Sequence, residues 1–242
     1  MARKSNSRAR IRRVANSAAP VRTGRTRSAP RSADSSEDAP YHHGALRDAL
    51  LEAAERVLER GGLSGLTLRA VAREAGVSHA APTHHFGDLT GLVSELAAIG
   101  FRQFNTAMAA AGATGSSPME TASARAKAYV AYAQAHPGMY GLMFRTERLD
   151  MTRPSLCEAA KASFAGLAGA IGASRHEQIA EEALSLDQAA AIARAWSLVH
   201  GFTMLLLDDR LSGILHRLPK GTSAETLLDA MLKATIGRPP GP

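Results

Sequence analysis

The sequence predicts an all-α protein of about nine helices, a three-helix N-terminal unit followed by a larger helical domain. Three observations carry that expectation. Alanine-rich segments dominate over β-branched or aromatic runs, and 45% of the 242 residues are apolar, enough to bury a core. Apolar side chains recur at helical spacing rather than alternating as in strands. Helix-start signals precede most of these stretches: Thr67, Ser78, Asp88, Ser117-Pro118-x-Glu120, Ser185-x-x-Gln188 and Thr222-x-x-Glu225.

Charge is unevenly distributed. Residues 1–40 hold 10 Lys and Arg against 3 Asp and Glu, while the remaining 202 residues hold 19 of each, so the whole net charge of +7 belongs to the first segment. That segment is rich in Arg, Ser, Ala and Pro and lacks apolar periodicity, which predicts a disordered basic arm. Such an arm either adds phosphate contacts beside a nucleic acid or is a solvated extension. Its composition also resembles a transit peptide, but no apolar stripe accompanies it. The lone Cys157 excludes an internal disulfide and fits a reducing cytoplasm, as a small packing residue rather than a redox sensor. No apolar run reaches about 20 residues, so no membrane span is expected.

The first helix is expected over residues 44–60, with Leu46, Leu50, Leu51, Ala54, Val57 and Leu58 on one face and Gly61-Gly62 as its stop. His42-His43 point to different sides, and no thiol or carboxylate cluster joins them into a metal site. Thr67 caps a second helix whose apolar face is Leu68, Val71, Ala72 and Ala75. Gly76 supplies the left-handed conformation that ends it, Val77 plugs the corner, and Ser78 caps a third helix. Two short helices around a tight glycine corner form a helix-turn-helix, whose second helix enters the DNA major groove. The DNA-facing candidates are Thr67, Arg69, Ser78, His79, Ala80, Thr83 and His84. Thr67 reaches phosphate from a helix terminus, and Arg69, which shares a face with Arg73, touches phosphate or remains solvated. Pro82, as a fourth helical residue, keeps the reading helix short, and His85 and Phe86 pack inward. Residues 78–86 contain no Arg, Lys, Asn or Gln, so affinity is expected to rest on backbone contacts and DNA shape, with a steep salt dependence.

Tyr41-His42-His43-Gly44-x-Leu46-Arg47-x-Ala49-Leu50-Leu51, the run Val71-Ala72-Arg73-Glu74-Ala75-Gly76-Val77-Ser78, and His85-Phe86-x-Asp88 resemble the N-terminal domain of TetR-family (tetracycline-repressor-like) transcriptional regulators. The resemblance implies a homodimer that grips a palindromic double-stranded DNA operator and releases it when a small-molecule effector enters the C-terminal domain. Two positions depart from the family pattern. Thr83 stands where the family commonly has Tyr, and Leu89 where it has Lys. Thr83 retains a hydrogen-bond donor; Leu89 does not. The implied organisation is a basic arm over residues 1–40, a helix-turn-helix domain over 41–88, and a ligand-binding and dimerisation domain over 89–242.

Beyond the head, Asp88 caps a long fourth helix to about Ala110, and residues 112–117 form a link. A fifth helix opens at Ser117-Pro118 and ends before His136-Pro137. A short sixth helix runs over residues 137–144, and a seventh over 154–171 has Leu156, Phe164 and Leu167 inward. Ser185 opens a long eighth helix, and Thr222 a ninth carrying Leu227, Leu228, Met231 and Leu232. Trp196-x-x-x-His200-Gly201 resembles the C-terminal domain of one TetR subtype, the WHG type. The last two helices are expected to form the dimer seam as a four-helix bundle with their symmetry mates.

Phe101, Phe104, Tyr129, Tyr132, Tyr140, Met143, Phe144, Phe164, Trp196 and His200 are the effector candidates, because aromatic and Met side chains with few polar groups suit an apolar cavity. Each also suits ordinary core packing. His200 either donates to a ligand or pairs with a backbone carbonyl. The expected effector is a neutral aromatic or acyl compound. No paired carboxylates, nucleophile motif, metal spacing or cofactor signature appears, so neither catalysis nor a cofactor is expected. The alternative is a helical small-molecule-binding protein whose DNA head is degenerate.

Overall fold

The computed structural model describes residues 39–144, 146–180 and 182–236; most of the basic arm (residues 1–38) and the side chains of His42 and His43 lie outside them. The described residues form ten α-helices: α1 (Ala39–Gly65), α2 (Leu68–Ala75), α3 (Ala81–Phe86), α4 (Leu89–Gly112), α5 (Pro118–Ala135), α6 (Pro137–Met143), α7 (Pro154–Arg175), α8 (Leu186–Leu207), α9 (Ser212–Leu215) and α10 (Ala224–Ile236), with a 3-10 turn at Thr146–Arg148. The all-α expectation holds. α9 and the 3-10 turn are additions to it, because one turn is too short to show apolar periodicity.

Helix boundaries follow the capping chemistry, with three corrections. α1 begins at Ala39, earlier than expected, and breaks at Gly62, whose φ of 61° leaves the helical region before one more turn to Gly65. α3 begins at Ala81 rather than Ser78: the Ser78 carbonyl accepts from the Ala81 amide at 3.1 Å, and no side chain caps the helix. Pro82 therefore occupies the first turn, where a missing N–H breaks no helical bond. At α10, Ser223 rather than Thr222 accepts from the Thr226 amide, at 3.1 Å. Elsewhere the signals act as expected. Asp88 accepts from the Gly91 amide at 2.8 Å, and Ser185 and Gln188 form a reciprocal capping box. Ser117 accepts from the Glu120 amide, although the Glu120 carboxylate turns back to the amide of Ser116.

One apolar core runs from the head into the body. Leu50 and Leu58 of α1, Val71 of α2 and Phe86 of α3 join Leu92 and Leu96 of α4, Leu142 of α6 and Leu156 of α7. α4 is the shared element: it packs against α1, α3, α5, α6 and α7. A second cluster seats α8 and α10 on α5 through Val130, Phe202, Leu228 and Leu232. α8 has no uninterrupted apolar run, since Asp187, Arg194 and His200 punctuate it. Its 22 residues are long and apolar enough to cross a membrane by length and composition alone, yet most of its apolar stretch is not buried within the chain. Along one stripe, Leu186, Ala190, Ala193, Ser197, Met204 and Leu205 are exposed.

Candidate nucleic-acid interface

The corner of the head is built by backbone chemistry. Thr67 Oγ1 accepts from the Ala70 amide at 3.1 Å and opens α2, while Val71 and Ala72 are buried against α1. Gly76 adopts φ 68°, ψ 29°, which lets the Val77 amide reach back to the Ala72 carbonyl at 3.0 Å. Arg56 and Arg60 of α1 clasp Glu74 of α2 at 3.0 and 2.7 Å and hold its carboxyl below the usual carboxylate range. Beyond this corner α3 is anchored from behind by Phe86, only 2% exposed, with the Arg47 guanidinium 5.5 Å from its ring centre. Pro82 is buried on the same side.

Thr67, Arg69, Ser78, His79, Ala80, Thr83 and His84 are all exposed, as is Arg73. His79 and Thr83 are four residues apart, as are Ala80 and His84, so the turn and the short helix share an outward face. Leu89, 38% exposed, follows the cap of α4 and borders a groove with Leu63, Leu66 and Val93.

The body contains a second concentration of chemistry. Phe104 packs edge-on against Tyr129 and Tyr132, with centroids 5.0 and 5.4 Å apart, and Phe144 lies 5.8 Å from Phe101, 4.8 Å from Tyr140 and 5.0 Å from His200. Inside these rings is a three-membered polar knot. His200 Nδ1 is 2.9 Å from the Tyr129 hydroxyl and 2.8 Å from that of Tyr140, which itself donates to Tyr129 Oη at 3.1 Å. Burial raises both phenols and lowers the His200 imidazole below its ordinary value, favouring the neutral ring. Tyr132 donates to the Gly100 carbonyl at 3.0 Å, and burial with the Glu55 charge pushes it up to about 12.

Residues 50–96 match the family described as bacterial regulatory proteins, tetR family, and residues 122–233 match the tetracyclin repressor-like C-terminal domain. A solved protein of unknown function from Rhodococcus sp. RHA1 is 32% identical, with 81% of this chain and 96% of that one covered and a TM-score of 0.65. The chain belongs to the TetR family. It is a DNA-binding transcriptional regulator. Two more distant TetR-fold structures share its architecture. PfmR from Thermus thermophilus is 17% identical, covering 76% of this chain and 94% of its own at a TM-score of 0.51. FadR from Bacillus subtilis, solved with stearoyl-CoA, is 14% identical, covering 77% and 95% at a TM-score of 0.52. No curated protein sequence matches the chain.

Within the TetR body, the structure gathers eight of the ten effector candidates: Phe101, Phe104, Tyr129, Tyr132, Tyr140, Met143, Phe144 and His200. Trp196 lies at the margin, 47% exposed, with its ring 6.2 Å from His200. Phe164 is half-buried on α7 and takes no part in this ring stacking. His200 Nδ1 meets two phenol hydroxyls rather than a backbone carbonyl. Sequence reasoning did not find the ionic pairings joining head and body among Arg47, Glu95 and Arg153, which are far apart in the chain; Arg47 falls in the family motif, but its partner carries no local signal.

Proposed function

We propose that this TetR-family regulator is a homodimeric repressor, released from a palindromic operator by a small apolar or aromatic ligand. The observation that carries the reading is the solvent-facing set Ser78, His79, Ala80, Thr83 and His84, backed by buried Pro82 and Phe86. Their chemistry suits contacts to base edges, thymine methyls and phosphates. Residues 41–88 would read the duplex and residues 89–242 would bind effector and pair. One short reading helix spans half an operator, so a two-fold mate is needed.

The exposed α8 stripe supports pairing through α8 and α10, since an apolar face this extensive is otherwise left in water. At Gly201 an added Cβ would meet nothing within 4 Å in this chain, leaving room for a partner backbone on the same stripe. The aromatic cluster supports a neutral aromatic or acyl effector, and FadR, solved with stearoyl-CoA, shows the fold accommodating an acyl compound in that protein. The basic arm would add phosphate contacts, and the regulator would act in the cytoplasm, where its operator lies.

The test is selection of duplexes from a random library by the purified protein, followed by competition with aromatic and acyl compounds. An enriched palindrome, released by one such compound, is expected. Failure to enrich any duplex, with a compound still bound, would favour a ligand-binding protein with a degenerate head. The exposed Leu89, in place of a family Lys, favours that second reading.

A further inference from the structure

We propose that Arg153 is a latch that sets the orientation of α3 from the effector-binding body, a role that rests on the reading of α3 as the DNA-contacting helix. Arg153 occupies the residue before α7, and its side chain crosses to the head. Nη2 donates to the carbonyl of Phe86, the last residue of α3, at 3.1 Å. Terminal carbonyls have no partner within their own helix, so this one is held by a group supplied from the body. Nη1 lies 3.7 Å from Glu95 of α4, and Nε 3.6 Å from Asp150. One planar guanidinium thus donates a hydrogen bond to α3 and lies at ion-pair distance from α4 and from its own approach loop, while its buried Nε has no hydrogen-bond partner among the described residues.

Its neighbours reinforce the same junction from both sides. Glu95, with 14% of its side chain exposed, also binds Arg47 of α1 at 2.6 Å and accepts from the Ser155 hydroxyl at 2.9 Å. Arg47 in turn covers the Phe86 ring. Gly91 of α4 faces this crossing, where an added Cβ would sit 2.0 Å from the Phe86 carbonyl oxygen and 2.4 Å from Arg153 Nη2. The first turn of α4 therefore leaves a side-chain-sized gap, and the guanidinium closes it.

The latch also has a route to the effector core. α7 packs along α4, where Asn105, next to Phe104 and one turn from Phe101, donates to the Ala159 carbonyl at 3.0 Å. A shift of α7 along α4 carries Arg153 with it, and the Phe86 carbonyl must follow or lose its partner. Two packed elements bridged by one rigid group convert a small displacement into reorientation of the reading helix.

Hydrogen–deuterium exchange on the full-length protein tests the latch without any DNA. In Arg153→Ala, amides of residues 84–92 should exchange about tenfold faster, with the rest of the chain unchanged. Arg153→Lys, which keeps the charge but not the fork, should give a smaller acceleration at the same amides and serves if the alanine variant does not fold. Unchanged exchange at 84–92, or uniform acceleration throughout the chain, would overturn the proposal. A second readout uses duplex half-sites separated by a varied spacer. Wild type should select one spacing and Arg153→Lys should accept neighbouring ones; identical selectivity would count against the latch. Wild-type protein that selects no duplex would overturn the DNA-reading function, while the exchange result would still decide the latch.

Discussion

The polar knot in the aromatic core makes a quantitative prediction about non-additivity. His200 Nδ1 is flanked by Tyr129 and Tyr140 hydroxyls at 2.9 and 2.8 Å, so either phenol alone still supplies a partner. Tyr→Phe preserves ring volume and stacking, leaving the hydroxyl as the principal loss. Tyr140→Phe and Tyr129→Phe each remove a hydroxyl that takes part in two of the three contacts and should each cost about 1–2 kcal/mol. The double variant leaves the inward nitrogen with neither phenol and adds a desolvation cost. His200 is half-buried, which puts that addition at the low end, about 1 kcal/mol beyond the sum of the single variants. Urea unfolding followed by fluorescence measures it, because Trp196 is the only tryptophan and its ring lies 6.2 Å from His200. Protein concentration must be held fixed, since the proposed pairing of chains would contribute to apparent stability. A double variant equal to the sum of the singles within about 0.3 kcal/mol would refute the redundancy of the knot.

Other outcomes follow from the same geometry. Burial depresses the His200 pKa below 6.5, so between the folded and unfolded values the unfolded chain binds more protons. Stability should therefore fall as pH drops below about 6.5 and level off above it, and His200→Gln should flatten that part of a urea-midpoint profile; an unchanged profile would remove His200 as its source. Met204→Asp should convert the proposed dimer to a monomer in light scattering with helical content intact by circular dichroism, because Met204 is exposed on the α8 stripe; a persistent dimer would place the seam elsewhere. Deleting residues 1–40, with their 10 basic residues, should reduce the slope of log affinity against log salt by about 0.9 for each phosphate the arm no longer neutralises. An unchanged slope would leave the arm as a solvated extension.

The knot and the latch place the regulator's polar chemistry at two junctions. One joins α5, α6 and α8 around the candidate effector core; the other joins α1, α3, α4 and α7 beneath the candidate reading helix. Both draw on α4 or the helices packed against it. A ligand that displaced the aromatic rings would act on elements that also carry the latch.

Local chemistry made much of this architecture legible in the chain itself. Thr67, Asp88, Ser117 and Ser185 announce helix starts because each side chain satisfies an amide within its own first turn. Gly76 announces the corner because its positive φ is a property of one residue. Ser78 misled for the same local reason: its cap-like character was legible, while the packing of Pro82 and Phe86 that starts α3 at Ala81 was not. Aromatic content pointed to an effector core but could not separate Tyr140, 1% exposed, from Trp196, 47% exposed. Which face of α8 stays bare, which two phenols meet His200, and which carbonyl Arg153 holds are decided by contacts between residues tens of positions apart. Such pairings depend on how helices cross in space, and helical periodicity carries no information about that.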